Sequence, residues 1–94
     1  MKKSLYPTDD GCFICHSPYT ETHHIYPGNG RRPISDREGC TIQLCHAHHN
    51  GSAFGVHFDR ELDAWLRRDC ERRWCAANDA TPEDFLAVFG ISYI

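Results

Sequence analysis

The chain has 94 residues, a formal charge of −3, six cysteines and seven histidines. A chain this short is one domain with a marginal apolar core, which a metal staple reinforces. Its acidic balance excludes coating nucleic acid by charge alone but leaves room for a local basic footprint. No apolar run reaches membrane-spanning length, and no signal-peptide core follows Met1, Lys2 and Lys3. A soluble cytoplasmic protein with reduced thiols is therefore expected, rather than a secreted disulfide framework.

Residues 1 to 11 are polar, with Pro7 and the turn signal Asp9, Asp10, Gly11, and predict a loosely held lead-in to a single domain over 12–94. Cys12, Phe13, Ile14, Cys15 is a C-x-x-C that places two thiolates on one tetrahedral ion. Redox dithiols share this spacing. Here, however, no thioredoxin-like strand and helix follow, and Cys45 with His48 supplies a C-x-x-H partner. Cys12, Cys15, Cys45 and His48 therefore predict a structural zinc site.

Thr20 to Pro27, T-E-T-H-H-I-Y-P, reads as a short strand ended by Pro and Gly. Neighbouring side chains on a strand point to opposite faces, so His23 and His24 have different tasks. Gly28 to Gly39 holds Pro33, Arg31, Arg32 and Arg37 and reads as a flexible loop able to reach around a nucleic-acid backbone. Cys40 to Cys45 alternates as a second strand, so the two strands form a hairpin that runs into a short helix. On a helix His48 and His49 diverge by about 100°, so His48 faces the structural ion and His49 faces something else. The expected partner is a second, catalytic metal shared with His23 or His24 and with His57. A straight helix would separate His49 from His57 by about 12 Å, whereas Gly51 and Gly55 let the chain turn back.

Asp59 is the expected N-cap of a helix with Leu62, Trp65, Leu66 and Trp74 at helical spacing. Its Arg60, Arg67, Arg68, Arg72 and Arg73 are matched by Asp59, Glu61, Asp63, Asp69 and Glu71, as on a solvated face. Cys70 and Cys75 lie about 140° apart around that helix and read as free cysteines. Thr81, Pro82, Glu83 and Asp84 open a last helix that Phe85, Leu86 and Phe89 pack inward and Gly90 ends.

Taken together, His23, His24, Ile25 and Pro27 in the first strand, Cys45 ending the second and His49 on the following helix resemble the HNH nuclease family over residues 12 to 57. Gly55 to Asp59 (G-V-H-F-D), the Arg- and Leu-bearing helix and Phe89, Gly90, Tyr93 are similar to small HNH proteins of prophages. The resemblance implies an α+β fold, a small zinc-stabilised ββα-metal hairpin over 12–57 followed by two C-terminal helices over 58–94. It also implies a metal-dependent endonuclease hydrolysing DNA phosphodiester bonds, with double-stranded DNA as partner. Carried over by position, His23, His49 and His57 are ligands of a catalytic divalent ion (magnesium, manganese, nickel or zinc), with His57 later in the chain than in the commonest pattern. His24 is the general base, and Arg31, Arg32 and Arg37 are the expected DNA-binding residues, Arg31 and Arg32 at phosphates.

Two positions depart from the family pattern. His48 stands where many members carry Cys, which a Cys3His site accommodates. Cys40 stands where the family carries the Asn that orients the base, so another group must do so, most simply a backbone carbonyl before Thr41. Cys40 and the acidic charge favour a second class of function, a catalytically weak or inactive zinc-stabilised module binding nucleic acid or protein. Three histidines at ligand positions favour the enzyme.

Overall fold

Strand β1, Glu21–His24, pairs antiparallel with β2, Thr41–Leu44, setting His23 opposite Ile42 and His24 opposite Thr41. This two-stranded sheet and the helices around it make a small α+β fold, and the computed structural model describes residues 4–28, 30–51, 55–57 and 59–94.

The connection between the strands is not the flexible loop that its glycines suggest. It contains helix α1, Arg32–Glu38, with Pro33 in the first turn and Gly39 closing it at φ 77°, its N–H donated to the Ser35 carbonyl. Proline loses nothing at a helix start, where its N–H would be unpaired anyway. Buried Ser35 holds α1 to the chain after β1: its Oγ donates to the Tyr26 carbonyl at 3.0 Å and accepts from the Tyr26 N–H at 3.2 Å. Seven residues are too few for a periodic signal, and Arg31 at the N-cap makes no side-chain cap, so the tertiary staple must add to the end signals of Pro33 and Gly39 to define this helix.

After β2 the chain makes a single π-helical turn, Ala47–Gly51, in place of the expected short α-helix. Residues 52–54 of the expected return, and Phe58, lie outside the described residues. Beyond them Val56 N–H donates to the His48 carbonyl at 2.8 Å and His57 N–H to the His49 carbonyl at 3.0 Å, so the chain comes back along the π turn. Gly55 permits this approach, because a Cβ there would lie 2.9 Å from the Ala47 oxygen and 3.0 Å from that of His49.

Helix α2, Arg60–Asn78, begins at Asp59, whose carboxylate accepts from the Glu61 and Leu62 N–H groups. Helix α3, Pro82–Phe89, begins with a reciprocal Thr81 and Asp84 capping box and ends at Gly90, φ 81°. Both caps act as the residue types at those positions predict. Leu66, Cys70 and Trp74 of α2 and Phe85 and Phe89 of α3 close around Tyr26, while Ile25, Ile42, Leu44 and Val56 carry the same core to the sheet. The Tyr26 ring lies 5.4 Å from Phe85, 5.1 Å from Phe89 and 5.3 Å from Tyr93.

Two charged positions of α2 are not on the solvated face expected of them. Glu71 is fully buried and accepts from Ser92 Oγ at 2.7 Å and the Tyr93 N–H at 2.6 Å, tethering the C-terminal segment. Asp69 accepts from the Tyr6 hydroxyl at 2.6 Å, while the Arg73 guanidinium lies over the Tyr6 ring at 4.1 Å and donates to the Leu5 carbonyl. The polar lead-in is therefore anchored from Ser4 onward, with Tyr6 in the core and Leu5 N–H donated to the Gly39 carbonyl; residues 1–3 lie outside the described residues. Among the described residues, no helix is long and apolar enough to cross a membrane.

Candidate metal centres

Among the described residues, two separate groups of donor atoms meet on either side of the π turn, one of Cys12, Cys15, Cys45 and His48 and one of His23, His49 and His57. Within each group the donors lie within 4.8 Å of one another, so each can hold a metal ion. Adjacent residues of one turn, His48 and His49, thus serve opposite sites.

In the first group Cys45 Sγ is 3.2 Å and Cys12 Sγ 3.7 Å from His48 Nδ1, and Cys15 Sγ is 3.7 Å from Cys45 Sγ. Metal–sulfur bonds of about 2.3 Å and metal–nitrogen bonds of about 2.0 Å in a tetrahedron require about 3.8 Å between sulfurs and about 3.5 Å from sulfur to nitrogen. The donor set fits. The turn is shaped for it: His16 takes a left-handed φ of 65°, and at Gly11, φ 73°, a Cβ would lie 2.3 Å from the Ser17 carbonyl. Burial raises the Cys12 thiol, but the backbone N–H groups of Cys15, Cys45 and Ile14 outweigh it and hold the pKa at about 6. At Cys15 the Ser17 N–H favours the thiolate, yet desolvation and the neighbouring sulfurs of Cys45 and Cys12 push its pKa up. A cation between these sulfurs would relieve that repulsion.

The second group is built by alternation along β1. His23 and Glu21 share one face of the strand, so both reach the π turn. Glu21 accepts from His49 Nδ1 at 2.8 Å and from His46 Nδ1 at 3.2 Å. With its Nδ1 proton committed to a carboxylate, His49 presents Nε2 as the lone-pair atom, 2.9 Å from His57 Nε2. The His23 ring packs 5.2 Å from that of His49 and 5.1 Å from that of His57. Among the described residues, His23 Nε2 is buried with no hydrogen-bond partner. A buried nitrogen left unpaired costs about 1–3 kcal/mol, and an ion at the focus of the three rings would satisfy it. Burial, then His49, His57, His24 and Arg67, lower His23 to about 3, and burial also lowers His57, so both imidazoles are held neutral as ligation requires.

A recess of about 180 Å³ opens beside this group, lined by Thr22, His23, His24, Pro27, Arg32, His49 and His57. His24 is outside the three-histidine group yet borders the same recess. Its Nε2 lies 2.7 Å from Asp36 Oδ1 on α1, so an Asp side chain replaces the backbone carbonyl expected to orient it. Cys40, where the resemblance to HNH nucleases leads one to expect an Asn, has its side chain in the core and its backbone paired with Ile25 and Ser35. Of the three arginines expected to bind DNA, Arg32 lines the recess. Arg31 instead donates to the Phe89 carbonyl at 3.1 Å, at the C-terminus of α3, and Arg37 pairs with Glu38 at 3.2 Å on the surface. Glu21 and Asp36 are the site residues that the sequence reading missed. For Glu21 a signal existed, an acidic residue two positions before His23 on the same strand face.

Compared with known proteins, the chain matches no family model, no curated protein and no solved structure.

Proposed function

We propose that this chain is a metal-dependent endonuclease of the HNH type that hydrolyses phosphodiester bonds of double-stranded DNA. The observation that carries the reading is the convergence of His23, His49 and His57 at a recess that also presents a fourth imidazole, His24, and the guanidinium-bearing Arg32. A purely structural metal site has no use for an adjacent open recess with a spare base and a cation. Cys12, Cys15, Cys45 and His48 are assigned a structural zinc, whose thiolates remain reduced in the cytoplasm.

His23, His49 and His57 would hold the catalytic divalent ion, and an all-imidazole set favours zinc or nickel over magnesium or manganese. When bound, such an ion supplies Lewis acidity at the phosphate and charge compensation at the leaving oxygen. His24 takes the proton of a water whose oxygen forms the new bond to phosphorus, while the bond to the leaving sugar oxygen breaks and that oxygen collects a proton from solvent. Arg32 pairs with the phosphate, holding it against the recess by charge and by its forked donors. A footprint this local is compatible with the acidic chain as a whole.

The test is nicking of supercoiled plasmid by the metal-loaded protein. His24→Ala should abolish cleavage while metal and DNA binding persist, whereas His49→Ala should also lose one metal ion per chain. Cleavage by the wild type that is unchanged in His24→Ala would overturn the assignment. Metal and DNA binding with no cleavage would leave a zinc-stabilised binding module.

A further inference from the structure

We infer that Asp36 is the positioning residue of His24: its carboxylate fixes the imidazole with the proton on Nε2, leaving Nδ1 as the proton acceptor, an inference that rests on the nuclease reading. A carboxylate only accepts hydrogen bonds, so the 2.7 Å contact from Asp36 Oδ1 to His24 Nε2 requires the proton at Nε2. In a neutral imidazole the other nitrogen then carries the lone pair. The bond thus selects both the tautomer and the ring orientation that a general base needs.

The support behind Asp36 is tertiary. Ser35, the preceding residue, is fully buried and makes two hydrogen bonds to the Tyr26 backbone, two positions after His24. The Ser35 carbonyl accepts from the Cys40 N–H at 2.8 Å, and the Cys40 carbonyl accepts from the Ile25 N–H at 3.0 Å. Helix α1 is therefore locked to both ends of the sheet connection, and Asp36 meets His24 from a rigid element rather than a loop. His24, its side chain 15% exposed, lines the recess, so a substrate there can reach the ring, while Asp36, 47% exposed, holds that ring from the neighbouring groove. Asp36 also borders a shallow groove with Arg32, Pro33 and Gly28. Its charge therefore affects phosphate binding separately from its bond to His24.

Three variants of the full metal-loaded chain separate these effects. Asp36→Ala should lower kcat for plasmid nicking about 100-fold, the scale of a misplaced catalytic group, with DNA binding equal to or tighter than wild type. Asp36→Asn removes the same charge but keeps a carbonyl acceptor, and should restore most of kcat. Asp36→Leu removes the acceptor while keeping a two-branched Cγ, and should behave like Asp36→Ala. Metal content should stay at the wild-type value in all three. Long-range proton–nitrogen spectra of the zinc-loaded protein, recorded above the imidazole titration range, should show His24 as a single Nε2–H tautomer in wild type and as a mixture in Asp36→Ala. An unchanged kcat in Asp36→Ala, a failure of Asp36→Asn to recover it, or an unchanged His24 tautomer overturns the role of Asp36 while leaving the nuclease reading intact. No cleavage by the wild type overturns both.

Discussion

Glu21 Oε1 lies 2.8 Å from His49 Nδ1, and the opposite nitrogen of that ring lies 2.9 Å from His57 Nε2. A strand carboxylate thus fixes which nitrogen of a π-turn histidine faces the three-histidine group. Carboxylates behind ligating histidines raise their basicity and fix their tautomer, and their loss weakens metal binding by about 10- to 100-fold. Glu21→Ala should lower affinity at the three-histidine group on that scale while the Cys3His group stays loaded. A competitive metal titration with two resolved sites checks this, and equal weakening at both sites would contradict it.

Removing a thiolate from the other group should act on the whole fold. Cys12 is fully buried in the core cluster, so replacing it removes a candidate donor and core packing together. In small domains metal affinity is folding energy. Cys12→Ser should bind one ion fewer per chain and melt well below the wild type, as should the wild type treated with a strong chelator. Full metal content in Cys12→Ser would rule out the four-donor assignment.

Gly55→Ala tests the return of the chain. The added Cβ would meet two backbone oxygens, at 2.9 and 3.0 Å, which cannot swing away as a flexible side chain would. Relief must come from displacing the 55–57 segment, so His57 moves away from His49. Strain of this kind costs about 1–3 kcal/mol. Metal binding by the histidine group should weaken more than global stability falls, as read by parallel titration and urea unfolding.

The arginines divide into two roles. Arg32→Ala should weaken DNA binding evenly across sequences and reduce the salt slope by about one charge. Arg31→Ala removes the contact to the Phe89 carbonyl and should lower thermal stability with little change in that slope. Binding measured at several salt concentrations distinguishes the two, and a sequence-selective loss in Arg32→Ala would contradict a phosphate contact.

Acid should destabilise the fold through His23. Its pKa is held at about 3 by burial first and then by His49, His57, His24 and Arg67, against about 6.5 in an unfolded chain. Because the folded value is the lower one, the unfolded chain takes up the proton first as pH falls. The contribution is complete above about 6.5 and is lost as pH drops toward about 3, with a slope up to about 1.4 kcal/mol per pH unit. Protons also compete with metal for the ring, so the sign is the same for the loaded protein. Urea unfolding across this window should decline more steeply for wild type than for His23→Gln, and parallel curves would contradict the account.

What the sequence determined by itself was local. Cys12 with Cys15 and Cys45 with His48 are two-donor turns whose spacing alone shapes half a tetrahedron, and Asp59, Thr81, Asp84 and Gly90 act on backbone groups within a few positions of themselves. The divergence of His48 and His49 followed equally from the geometry of one turn. Helix α1 was different, because glycine and proline at its ends outweigh seven residues of weak propensity until Ser35 is stapled to Tyr26. Glu71 read as one more surface charge because its partners, Ser92 and Tyr93, lie 21 and 22 positions away. Glu21 is 28 positions from His49 and Asp36 is 12 from His24. Carboxylates carry no mark in the sequence that distinguishes a solvated side chain from one that holds an imidazole. Only the packing of α1 and the π turn against β1, driven by the burial of Tyr26, Ile25 and their neighbours, decides which carboxylate meets which ring.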